Sequence, residues 1–139
     1  MQKIIIDTNV LISALISPNG IPGKIFDELI IEGTVSICIS EETIKEYIDV
    51  INRDKFKKYR NFYTKAEILL GYIEEIAEKY SPKESIDKLK DKSDNKFLEL
   101  AIASRADFLI TGNINDFDLQ EIGSTRIITP TEYWNKYKP

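Results

Sequence analysis

Ile4-Ile5-Ile6-Asp7-Thr8-Asn9 is the stretch on which the fold turns. Three consecutive β-branched residues make an apolar run too short for a helix, and a run apolar at every position reads as a strand buried on both faces. It stops at an acid, a hydroxyl and an amide. Far along the chain Phe108-Leu109-Ile110-Thr111-Gly112-Asn113 repeats the arrangement, an apolar run ending in polar groups. In open parallel sheets ligands bind at the carboxyl ends of the strands. If these two strands are neighbours, Asp7 and Asn113 point into one crevice. Asp7 also reads as a turn former or a helix N-cap, and Gly112 as a tight turn.

Working outward, apolar strand-like runs alternate with helical patterns. Val10 to Ile16 reads as a helix, Ser17 to Gly23 as a Pro- and Gly-rich loop, and a second helix carries Ile25, Leu29 and Ile30 to a stop near Gly33. Val35 to Ile39 is the second strand, and Ser40 caps a helix with Glu41, Glu42 and Thr43 in its first turn. Ile44, Tyr47, Ile48 and Ile51 give that helix its apolar stripe. Arg53 to Asn61 is a basic, aromatic connection, Thr64 caps a further helix through Ile76, and Ala77 to Tyr80 forms a short third strand. Pro82 to Lys92 reads as an exposed loop, with Asp91 or Ser93 capping a helix from Asp94 to Arg105. After the Phe108 strand come a short helix or turn from Asn115 to Ile122, a last strand Arg126-Ile127-Ile128, and a helix from Thr131 to Tyr137. The alternation predicts a three-layer α/β/α sandwich around a parallel sheet of four to five strands, in one domain over 1–139.

Composition narrows the chemistry. The chain has no histidine, which removes Ser-His-Asp and Cys-His nucleophilic mechanisms and histidine-ligated zinc. A single cysteine, Cys38, sits inside the second apolar run and reads as a buried strand residue. No signal peptide and no membrane-length apolar run is visible, so a cytoplasmic protein is expected. The formal charge of −4 counts against nucleic-acid binding by bulk attraction and asks for a local basic patch. No GxxxxGK[ST] or GxGxxG motif suggests a nucleotide, and a phosphoryl-accepting receiver role lacks its acidic pair and late lysine.

On a helical wheel Asp94 falls among Phe97, Leu98 and Ala101, on the buried stripe and in a first turn, where the helix dipole also favours a carboxylate. An inward carboxylate must be paired or must hold a metal. Glu46 falls opposite Ile44, Ile48 and Ile51, so periodicity alone makes it a solvated residue. Converging carboxylates need a counter-charge, and without histidine the natural one is a hard cation, Mg²⁺ or Mn²⁺. Such an ion suits phosphodiester hydrolysis. Arg53-Asp54-Lys55-Phe56-Lys57-Lys58-Tyr59-Arg60 holds five basic residues among eight, with aromatics interleaved. It reads either as a solvated helix end with its aromatics inside or as a patch that feeds single-stranded RNA to an acidic cleft.

Asp7-Thr8-Asn9-Val10, the Glu of the second long helix, Asp94-Asn95-Lys96-Phe97-Leu98-Glu99-Leu100-Ala101 and Ala106 to Asn113 together resemble the PIN-domain family, above all the VapC-like PIN toxins of toxin–antitoxin pairs. The resemblance spans nearly the whole chain and implies the sheet order 3-2-1-4-5 and metal-dependent endoribonuclease activity with Mg²⁺ or Mn²⁺. By that likeness Asp7, Glu46 and Asp94 would hold the metal, moving Glu46 from solvent into the cleft, and Thr8, Asn9 and Thr111 would brace them. Asn113 stands where the family often carries a fourth acid, and Asp116 either supplies that charge or caps the following turn. RNA as substrate, a small antitoxin and a second copy of the chain as partners are implied in the same way. The rival reading is a PIN-like module that binds RNA or protein without cutting.

Overall fold

The computed structural model describes residues 1–83, 95–117 and 119–139, except for the side chains of 115 and 116. A single mixed sheet organises them, in the order β3-β2-β1-β4-β6-β5. β1 (Lys3–Ile6) lies at the centre, paired in parallel with β2 (Ser36–Ser40) on one side and β4 (Phe108–Ile110) on the other. β3 (Glu78–Tyr80) extends the sheet beyond β2, and β6 (Thr125–Ile128) beyond β4, both in parallel. Ile4, Ile5 and Ile6 are wholly buried, as a central strand covered on both faces requires.

The expected five-strand order is present, with Arg126-Ile127-Ile128 in its fifth place. A sixth strand, β5 (Glu121–Ile122), adds an antiparallel edge. The expected helix or turn over Asn115 to Ile122 is therefore shorter. It ends at Phe117, and Ile122 pairs with Thr125 across the two-residue turn Gly123-Ser124. Gly123 takes a positive φ of 55°, the left-handed geometry that tight hairpins need and glycine adopts freely.

Helices cover both faces. α1 (Thr8–Ile16) starts at once from β1. α2 (Ile21–Lys24) continues through a wider π-helical turn over Ile25–Ile30, where a loop was expected as far as Gly23; Pro22 sits in its first turn, the one helical place where a missing N–H costs nothing. α3 (Glu41–Ile51) is capped by Ser40 and Thr43, each side chain bonding the other's backbone N–H, as the sequence suggests. α4 (Phe62–Ile76) begins two residues before the expected Thr64 cap, because Asn61 takes a left-handed conformation (φ 58°) that turns the chain into the helix earlier. α5 (Asn95–Ser104) packs on α3 and β2, and α6 (Pro130–Glu132, continued by Tyr133–Tyr137) closes the chain under its Thr129 cap. Of the expected loop Pro82 to Lys92, Pro82 and Lys83 are in neither helix nor strand, and the rest of it, with the capping residues Asp91 and Ser93, and Asp94 itself lie outside the described residues.

Candidate active site

β1 ends where α1 begins, and Asp7 does both jobs at that junction. Its backbone N–H extends the ladder to the Ile110 carbonyl (2.9 Å), while its side chain accepts the Thr8 N–H at 2.7 Å as the N-cap of α1. The cap reading of Asp7 is thus correct, but it uses only Oδ1. Oδ2 accepts the Thr111 hydroxyl at 2.6 Å and the Asn9 amide at 3.1 Å. Thr111 stands at the end of β4, so adjacency of the two strands puts the two polar strand ends side by side. The Thr111 hydroxyl in turn accepts the Asn113 N–H at 3.1 Å, and Asn9 Oδ1 accepts the Gly112 N–H at 3.0 Å. A Cβ at Gly112 would stand 3.2 Å from that Asn9 oxygen, close enough that a side chain there would press on Asn9.

Glu46 arrives from α3. Its Oε2 accepts the Thr8 hydroxyl and its Oε1 faces the Lys96 ammonium at 3.1 Å. Its side chain is only 14% exposed, against the wheel. The reason lies in the helix's true buried stripe, which runs through Thr43, Tyr47 and Ile51, whereas Ile48 is 42% exposed. The stripe is rotated because α3 packs against α1 and α5 as well as the sheet. Glu46 then flanks it on the side of α1. Tyr47 fixes the rotation: wholly buried, its hydroxyl donates to the Ile6 carbonyl, one residue before Asp7.

Asp7 is 4% exposed. Burial pushes its carboxyl up to about 6, with the neighbouring Glu46 charge adding to the rise, while the bonds from Thr111, the Thr8 N–H and Asn9 hold it down. Burial also drives the Tyr47 phenol far above its ordinary value, so it stays a neutral donor. Two carboxylates at one buried junction, one of them costly to ionise, make a donor set that fits a hard cation. Among the described residues these are the only two acids there, since no cluster of three or more metal-ligating side chains occurs.

Asp7, Thr8, Asn9, Glu46 and Thr111 therefore meet. Asn113 joins them through its backbone, with its side chain exposed. Asp116 belongs to the short turn Ile114–Phe117, its side chain outside the described atoms. The basic connection makes its described ion pairs and ring contacts within its own stretch and with Asp49. Phe56 and Phe62 are buried and stacked at 4.7 Å, so these rings serve the core and are not free to stack on bases. Lys57 pairs with Asp54 (3.3 Å), Arg53 with Asp49 (3.8 Å), Lys55 and Lys58 lie over the Phe56 and Tyr59 rings, and Arg60 is exposed. Sequence reasoning missed Lys96. Its signal was a cation in the first turn of a helix, the end where the dipole disfavours one. The preceding Asn95 is buried, and its Oδ1 has no partner among the described residues.

The site's two ends fall within one family match: the PIN domain model matches residues 3–115. The chain is also 36% identical, over 119 residues, to the uncharacterized protein MJ1680 of Methanocaldococcus jannaschii, covering 86% of this chain and 76% of that one. Among solved structures it superposes with a TM-score of 0.60 on a chain from VapBC2 of Rickettsia felis bound to a DNA fragment from their promoter. That match is 18% identical and covers 92% of this chain and 98% of the other, a likeness of fold.

Proposed function

This chain belongs to the PIN-domain family, and from that premise we propose that it is a single-domain, metal-dependent endoribonuclease, the toxin of a toxin–antitoxin pair acting in the cytoplasm. One observation carries the reading. Asp7 and Glu46, remote in sequence, share the Thr8 side of one buried junction at the carboxyl edge of the sheet. Asp7, Glu46 and Asp94, the residue just before α5, would hold Mg²⁺ or Mn²⁺, with Asn113 or Asp116 completing the set. The bound ion would supply a water of lowered pKa and a Lewis acid for the phosphoryl oxygen.

The chain's own residues prepare that chemistry. Thr111 and Asn9 fix Oδ2 of Asp7, and the Thr8 N–H fixes Oδ1, so the carboxylate is oriented before anything binds. Thr8 orients Glu46 through its hydroxyl. The exposed lysines and arginines at Arg53, Lys55, Lys57, Lys58 and Arg60 would attract the RNA backbone without stacking on its bases. A small antitoxin protein covering the cleft, and a homodimer, are the partners proposed, in keeping with the fold shared with a VapBC2 chain.

A second reading keeps the fold and drops the chemistry: an RNA- or protein-binding module. Asn113, a neutral amide where the family often has an acid, favours it. A cleavage assay on single-stranded RNA with Mn²⁺ separates the two. Wild type should cut and stop on EDTA addition, and Asp7→Asn should lose more than about a hundredfold in rate. RNA binding without any cleavage would establish the module reading instead.

A further inference from the structure

Glu46 has both oxygens engaged, Oε2 by the Thr8 hydroxyl and Oε1 by the Lys96 ammonium. We infer that Lys96 is a switchable counter-cation. It neutralises Glu46 while no divalent ion is bound, and turns to a substrate phosphate once an ion takes Glu46. The inference rests on the nuclease reading above and adds a residue to it.

Three features set this pair apart. It is sheltered, with side chains 26% and 14% exposed, whereas Lys45–Glu41 and Lys57–Asp54 stand in solvent at 70% or more. It joins two elements, α3 and α5, which among the other described pairs only Lys3–Glu78 does, with more exposed side chains. It also puts a positive charge in the first turn of α5, where the helix dipole opposes it. A cation kept there against the local field has its reason in the carboxylate it faces.

An ammonium suits the switch. It is a compact charge on a flexible four-carbon stem, so it can leave Glu46 and reach a group a few ångströms away. An ion bound through Oε1 of Glu46 competes with the ammonium for that oxygen and repels it. Once displaced, the ammonium needs a new anion, and the phosphate of a strand entering the cleft is one. Loading the ion and gripping the substrate then favour each other, and the coupling is reciprocal.

The test pairs calorimetric titration with Mn²⁺ alone, at fixed pH, with steady-state cleavage of a single-stranded RNA, for wild type, Lys96→Met, Lys96→Gln and Lys96→Arg. The two neutral variants should bind Mn²⁺ about tenfold more tightly than wild type and show a KM for RNA raised about tenfold, with kcat changed far less. Lys96→Arg should restore both values toward wild type. A pair that merely braces the fold would lower the melting temperature in EDTA and leave Mn²⁺ affinity unchanged; that result, or an unaltered KM, overturns the inference. Should wild type itself take up no Mn²⁺, the nuclease reading falls and this one with it. Equal uptake by wild type and both neutral variants removes the Lys96 switch alone.

Discussion

At Asp7, desolvation and hydrogen bonding pull in opposite directions, and desolvation is the larger. A carboxyl held at about 6 in the folded chain and near 3.8 when unfolded binds its proton more tightly in the fold. Its contribution to stability is therefore complete below pH 4 and is lost as pH rises through 6. The loss amounts to about 3 kcal/mol at most. Urea unfolding in EDTA at pH 4.5 and 7.5 should show wild type losing stability relative to Asp7→Asn over that interval, and Mn²⁺ at pH 7.5 should return it to wild type only. A stability difference that does not change with pH would refute the assignment. Thr111 is the second residue with a measurable burden, since its hydroxyl gives to Asp7 and takes from Asn113 N–H. Thr111→Val keeps the shape and strands both partners, so it should cost about 1–3 kcal/mol in thermal unfolding and lower RNA cleavage with it.

Among the elements, α3 decides whether the acids meet. Its isoleucines suggest one face and its packing uses another. Ile44 and Ile48 are the residues that periodicity weighs most, yet Ile48 is partly exposed and the buried line follows Thr43, Tyr47 and Ile51. Threonine and tyrosine carry polar atoms, so a hydrophobic wheel undercounts them. Their burial is stabilised by partners that only the fold supplies, Ser40 for one and the Ile6 carbonyl for the other. That is why Asp7, at the end of a short apolar run, was legible, while Glu46 and Thr111 needed a resemblance and Lys96 escaped notice. Of the β5–β6 hairpin only β6 was read from the sequence, because the two residues of β5 are too few to show alternation. Tyr47→Phe tests the rotation. Removing the hydroxyl leaves the Ile6 carbonyl short of its donor and should cost about 1–2 kcal/mol in urea unfolding. It should also weaken Mn²⁺ binding measurably, because Glu46 is the next residue on the same turn. Unchanged Mn²⁺ affinity would show that the Ser40–Thr43 box alone sets the helix.

Over the whole molecule the charge is −4, so an RNA strand would meet a net repulsion. Attraction must come from a local feature. α3 leaves the carboxyl edge of the sheet at Ser40, and α4 carries the chain back to start β3 at the amino edge. The connection between them carries Arg53, Lys55, Lys57, Lys58 and Arg60, the densest basic run of the chain. Its aromatic rings are committed to the core or capped by lysines, so stacking on bases is a minor part of what it can offer. What remains is charge, and charge acts through released counterions, each phosphate contact on a single strand contributing about 0.7 to the slope of log affinity against log salt. Replacing Lys55, Lys57 and Lys58 together with Glu should flatten that slope by about 2 in anisotropy titrations of a single-stranded RNA. The melting temperature should barely move, because these side chains are exposed and their ion pairs and ring contacts lie on the surface. A triple variant that binds RNA with an undiminished slope would place the backbone contacts elsewhere, and Lys96 would then be the first residue to ask.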